Sequence, residues 1–226
     1  MSGSMTSDPR QPTRQALGRW LLLASLLLLG ACGAKQVVVT GKYPQPLMSR
    51  QPLTLGVFYP DEFRGHEFFD EAKGRADSDW LVKTGDAQIR MWSTLFNGMF
   101  EQVIFLDEAP VGDTEVPEVD AVLIPRVDEL QYAIPTHTNI KVYEIWMRYA
   151  FELNAPDGTS IAQWTMTAYG KTPTAFLQTD EAAVNLAAVV ALRDAGAHFA
   201  TLFPNVPDVA NWLQSRNRTV AAGTTP

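Results

Sequence analysis

From Val142 to Asn154 the chain alternates without a break. Tyr143, Ile145, Met147, Tyr149, Phe151 and Leu153 fall on one side, and Glu144, Arg148 and Glu152 on the other. Successive strand side chains point to opposite faces, so period two over so long a run demands a sheet with one buried and one wet face. Ala155-Pro156-Asp157-Gly158 follows as a turn, proline presetting φ and glycine accepting a positive φ. Ile161 to Tyr169 returns antiparallel, and Asp120 to Ile134, broken or bulged at Pro125, supplies the strand before it. The pattern predicts a three-stranded meander.

That sheet needs cover on its apolar side. Ile89, Trp92, Leu95, Phe96, Met99, Phe100 and Val103 recur at three- and four-residue spacings after Thr84-Gly85-Asp86, which predicts an amphipathic helix. A second helix starts at Thr179, a plausible N-cap with Asp180 and Glu181 in the first turn, and runs to about Leu202 before Pro204 stops it. Leu53 to Tyr59 reads as a first core strand, and Val103 to Leu106 as a short one. Residues 61–84 read as a surface excursion pinned by Phe63, Phe68, Phe69 and Trp80, and Val206-Pro207-Asp208 starts a short helix ending near Trp212-Leu213. The fold class expected is α+β: a mixed, mostly antiparallel sheet with two long helices packed on one face.

The N-terminus carries an address. Arg10, Arg14 and Arg19 precede an apolar run from Trp20 to Leu29, and Gly30-Ala31 places small residues before Cys32. A basic region, an apolar region and a small-residue cleavage site make a secretory signal, and a run this short falls below the ~20 residues of a spanning helix. Leu29-Gly30-Ala31-Cys32 resembles the lipobox of bacterial lipoproteins. The resemblance implies cleavage before Cys32, lipid on its thiol and new amino terminus, and anchoring to the membrane through that lipid. Gly33 stands where an aspartate resembles an inner-membrane retention signal in Gram-negative lipoproteins, which points to the outer membrane and its periplasmic side. The expected organisation is a signal peptide over 1–31, a lipidated tether over 32–51 that can add an edge strand, a single domain over 52–215 and a disordered tail over 216–226.

Charge and motifs exclude several functions. A net charge of -7 and an isoelectric point near 4.9 argue against nucleic acid as a partner. One cysteine excludes a disulfide framework and a multi-thiolate metal site. The chain has no G-x-S-x-G elbow, no G-x-x-x-x-G-K-[ST] loop and no G-x-G-x-x-G fingerprint. His66-Glu67-Phe68-Phe69-Asp70 superficially resembles a zinc-binding helix with aspartate as second ligand, but a solvated charge cluster is the simpler reading. His137 reads as a hairpin tip and His198 as a satisfied, partly buried helix residue. Asp128, Glu129, Glu144 and Glu152 have the spacing of a wet sheet face. No cofactor or metal is expected, and the expected role is non-catalytic.

Binding surfaces remain. Trp146 falls on the polar face of its strand beside Glu144 and Arg148, and Trp164 lies on the returning strand. If both tryptophans are exposed they form an aromatic patch for a partner; a covering layer is the alternative. The loop Tyr169 to Phe176 adds Lys171 and Phe176 as contacts for an anionic group or partner. The order of elements over residues 52–203 resembles the small α/β domains of periplasmic lipoproteins, such as the transporter-auxiliary lipoproteins and the N-terminal domain of the Tol translocation protein. That likeness is one of topology and carries no function by itself; the role expected is an accessory, partner-binding subunit of an envelope transport, assembly or cell-wall complex. A carrier of lipid or another apolar ligand is the alternative, and an envelope hydrolase the second.

Overall fold

The computed structural model describes residues 34–70, 79–110, 118–133, 142–173 and 179–223. The elements run β1 (Lys35–Val38), β2 (Gln51–Phe58), α1 (Asp61–Arg64), β3 (Glu67–Asp70), β4 (Trp80–Lys83), α2 (Gly85–Met99) and β5 (Phe100–Leu106). Then come β6 (Ala121–Ala133), β7 (Val142–Asn154), β8 (Ser160–Pro173), α3 (Asp180–Leu202) and, after a 3-10 turn at Phe203–Asn205, α4 (Pro207–Gly223). The class is α+β, as the alternation and helical stripes predict.

The main sheet has the order β5-β2-β6-β7-β8. It is mixed: β2 runs parallel to both β5 and β6, whereas β6, β7 and β8 form the antiparallel meander. A parallel neighbour requires a crossover, and the chain between β2 and β5 supplies it with α1, β3, β4 and α2. The sheet is not interrupted at Pro125, which sits in register opposite Phe151; the irregularity falls between Val127 and Glu129. β8 continues through Gly170 to Pro173, where the sequence suggested a loop. Glycine is there for packing, because a Cβ on Gly170 would lie 2.0 Å from the Ala187 carbonyl oxygen of α3.

Both long helices cover one face of this sheet. Trp92 of α2 meets Tyr149 and Phe151 of β7 and Phe199 of α3, with ring centroids 5.3, 5.3 and 5.4 Å away. Phe199 in turn stacks on Phe203 at 5.4 Å. α3 starts as expected, Thr179 accepting a hydrogen bond from the Ala182 amide. Its buried face is built from Ala183, Ala187, Ala188, Ala191, Ala195 and Gly196, so it lies close to its neighbours. It is long and apolar enough to cross a membrane by composition, but half of that stretch is buried inside the fold, as in a core helix.

Three expectations change. Periodicity carried the α2 stripe to Val103, yet the helix ends at Met99 and β5 begins at Phe100, whose backbone is extended (φ -113°, ψ 154°). The edge strand allowed for in the segment after residue 33 forms, but in a sheet the sequence did not suggest: β1 pairs with β4, and β4 with β3, in a second, three-stranded sheet. Val37, Val39, Val82 and Trp80 are buried there, Trp80 lying 6.3 Å from Tyr132 and 6.4 Å from Tyr143. Finally, α4 continues to Gly223 through part of the stretch expected to fray, and Arg216 pairs with Asp120.

Candidate functional site

The sheet face opposite α2 and α3 is built by ladder register. Glu144 faces Lys171, Trp146 faces Tyr169 and Arg148 faces Thr167 across β7 and β8; on the other side Glu129 faces Arg148 and Gln131 faces Trp146. Their neighbours along β7, Tyr143, Ile145, Met147 and Tyr149, point the other way and are buried. Alternation thus delivers Glu144, Trp146 and Arg148 to one surface, as the sequence predicted, and the extension of β8 adds Lys171, which the sequence placed in a loop.

Trp146 and Tyr169 form an aromatic pair with centroids 5.0 Å apart. Charges frame it. The Tyr169 hydroxyl donates to Glu144 at 3.0 Å, and Lys171 approaches the same carboxylate at 3.3 Å. Arg148 reaches Glu129 at 3.2 Å and Asp128 at 3.6 Å, and Arg126 reaches Glu152 at 3.4 Å. A groove of about 230 Å³ is lined by Glu129, Gln131, Trp146, Arg148 and Thr167. Partial desolvation, and then the Glu144 carboxylate, push the Tyr169 phenol above its ordinary range. Exposed ion pairs of this kind stabilise a fold little. Their consequence here is to hold long side chains beside a partly exposed aromatic platform. Such a surface suits recognition, in which aromatic and arginine side chains dominate. The four carboxylates named from sequence, Asp128, Glu129, Glu144 and Glu152, are each engaged by a cation rather than by one another.

Trp164 does not join this surface. It stands opposite Phe151 on the helix-covered face, stacked on it at 5.2 Å and 6.1 Å from both Phe199 and Phe203. The cause is a register shift beside the turn. Asn154 pairs with Ser160 but Leu153 pairs with Ala162, so one extra residue in β8 reverses which face its side chains take. A turn without that residue would have put Trp164 opposite Ala150 on the wet side. The same shift brings Tyr169, expected in a loop, under Trp146.

Of the other predicted residues, Cys32, His137 and Phe176 lie outside the described residues. His66 precedes a strand, Glu67–Asp70, so the helix face that would align it with Asp70 does not form. Its Nδ1 lies 2.7 Å from the Thr84 hydroxyl, which also accepts from the Gln88 amide at 2.9 Å. Burial holds the His66 ring below its ordinary pKa, against a smaller opposing effect of Glu67. His198 is exposed rather than buried, with Nδ1 3.1 Å from the Thr167 carbonyl oxygen and 3.7 Å from Asp194. Asp194 accepts the Tyr169 amide at 2.9 Å, so two side chains of α3 engage the outer edge of β8. No linear signal marks that contact, since it links residues brought together only by the packing of α3 on β8.

No family model matches the chain, and no curated protein matches it. Among solved structures it is similar to a DUF330 protein from Xanthomonas campestris, at 16% identity and a TM-score of 0.49, over 74% of this chain and 93% of that one. A minor lipoprotein from Acinetobacter baumannii matches at 14% identity and a TM-score of 0.36, over 72% and 95%. A lipoprotein from Neisseria meningitidis matches at 13% identity and a TM-score of 0.26, over 70% and 95%.

Proposed function

We propose that this chain is a bacterial lipoprotein, held at the outer membrane by lipid on Cys32 and facing the periplasm. Its folded domain acts as a non-catalytic accessory subunit that binds another envelope protein. The anchor rests on the basic region, the Trp20 to Leu29 apolar run and Leu29-Gly30-Ala31-Cys32. The binding role rests on one observation above all: Trp146 and Tyr169 pair at 5.0 Å on a sheet face whose other side carries both long helices. A half-exposed tryptophan at the centre of an ordered polar surface is the arrangement that interface anchors share.

Photocrosslinking side chains placed at Gln131 and Thr167, either side of Trp146, test this in living cells. A discrete adduct with an envelope protein is expected at both positions and not at Asp208 on α4. Trp146→Ala and Tyr169→Ala should each reduce it severalfold. Failure to form an adduct at either position, in protein shown to reach the envelope, would overturn the assignment of this face.

A further inference from the structure

A second concavity lies on the helix side, between α2 and α3. The segment Tyr43 to Pro46 walls it on one side, and Met91 and Leu95 of α2 face Gly196, Ala197 and Ala200 of α3 across it; its volume is about 250 Å³. Close packing preforms the walls. Pro46 sits so near α2 that a Cβ on Gly98 would lie 2.4 Å from the proline Cδ, and one on Gly196 would lie 3.2 Å from the Met91 sulfur. Upstream, Thr40 exchanges two hydrogen bonds with the Asn185 side chain, and Arg193 donates to the Lys42 carbonyl oxygen at 2.8 Å. The wall therefore does not have to be ordered by a ligand.

Two properties define what fits. The lining is apolar except for Gln45 and one charged group, Arg193, the Tyr43 hydroxyl itself being buried. Beyond Pro46 the apolar character continues outward, with Leu47 fully exposed and Met48 at 36%. The chain as a whole is acidic, at -7, yet no carboxylate among the described residues pairs with the Arg193 guanidinium or with that of Arg90 beside Met91. Burial pushes the Tyr43 phenol up to about 12, and the nearby Arg90 and Arg193 charges oppose that rise. A small apolar channel with a guanidinium at its rim that pairs with no carboxylate among the described residues complements a chain with an acidic head.

We propose that this groove binds a single-chain anionic amphiphile, its acyl chain against Met91, Leu95, Ala197 and Ala200 and its carboxylate or phosphate head at Arg193. The planar guanidinium pairs with either head through two hydrogen bonds. The volume, about 250 Å³, lies just below the ~300–1,000 Å³ of small-molecule sites, so the groove takes one chain and not two. The site is independent of the Trp146 face and stands whether or not that face binds a protein.

The full chain in phosphatidylcholine vesicles, exposed to a photoactivatable fatty carboxylate, tests the proposal. Labelling is expected on the peptides holding Met91 to Leu95 and Ala197 to Ala200. Laurate and monododecyl phosphate should compete about tenfold better than 1-dodecanol, as a charge-assisted contact requires. Ala197→Trp, at an exposed position, should block labelling by filling the groove. Arg193→Gln should keep labelling but lose the preference for charged heads, a readout that holds even if Ala197→Trp lowers stability. Labelling confined to other peptides, equal competition by 1-dodecanol, or labelling unchanged in both variants would overturn it. Competition by inorganic phosphate as strong as by monododecyl phosphate would reduce the groove to an anion site and equally reject the amphiphile.

Discussion

Trp164 and Phe151 stand directly across the β7–β8 ladder and stack with ring centroids 5.2 Å apart and planes 18° from parallel. Trp146, five residues before Phe151, points to the opposite face. The two tryptophans therefore answer to different physics. Trp164→Ala removes a ring that is half-buried but packed on Phe151, Phe199 and Phe203, and should cost about 2 kcal/mol, below the ~3–5 kcal/mol of truncating a fully buried aromatic. Trp146→Ala leaves that core intact and should cost under about 1 kcal/mol. Urea unfolding of the two variants separates them, and equal losses would contradict the assignment of faces.

How that difference escaped the sequence is instructive. The alternation from Tyr143 to Leu153 leaves no freedom in β7, and its buried and wet residues stand as read. β8 has fewer constraints. Small or polar residues at Ala162, Ala168 and Gly170 mask its inward side, and one extra residue beside the turn reverses its parity. Such a shift is worth a single hydrogen-bond step locally, yet it moves Trp164 to the helix-covered face and Tyr169 to the opposite one. The small sheet was illegible for another reason: Lys35–Val38, Glu67–Asp70 and Trp80–Lys83 are four residues each, too short for periodicity to register. The groove under Tyr43–Pro46 joins residues more than a hundred positions apart and has no linear signature.

Gly170→Ala should be among the more damaging single-atom changes to this protein. The added methyl would sit 2.0 Å from the Ala187 oxygen and 2.4 Å from the Ala191 nitrogen, both helix backbone. Neither can rotate away, so α3 must lift from β8, at a cost in the range of core overpacking, about 1–3 kcal/mol. At Gly65 the nearest obstacle is one carbonyl oxygen, that of Asp61, at 3.3 Å. Gly65→Ala is expected to shift the unfolding midpoint much less, and the comparison controls for the general effect of replacing glycine.

Cys32→Ser should abolish both lipid attachment and signal cleavage, because the lipobox reading requires a thiol at that position. A clickable palmitate analogue is expected to label the parent protein and not the variant, which should accumulate as the longer precursor. Label retained by the variant would place the lipid elsewhere.

His66 predicts a pH dependence of stability. Its Nδ1 lies 2.7 Å from the Thr84 hydroxyl, and burial holds its pKa below 6.5. The unfolded chain, with an ordinary histidine, therefore binds more protons than the folded one in the window beneath 6.5. Stability consequently rises with pH there: the contribution is complete above 6.5 and is lost progressively as pH falls toward the depressed value. Carboxylates add their own acid sensitivity at lower pH, so the diagnostic interval lies between about pH 7 and pH 5. Urea midpoints of the parent protein should drop across that interval, and His66→Gln, which cannot take up a proton, should flatten the drop. A slope unchanged by the substitution would show that His66 titrates alike in the folded and unfolded chains, and that its burial does not disfavour the charged ring.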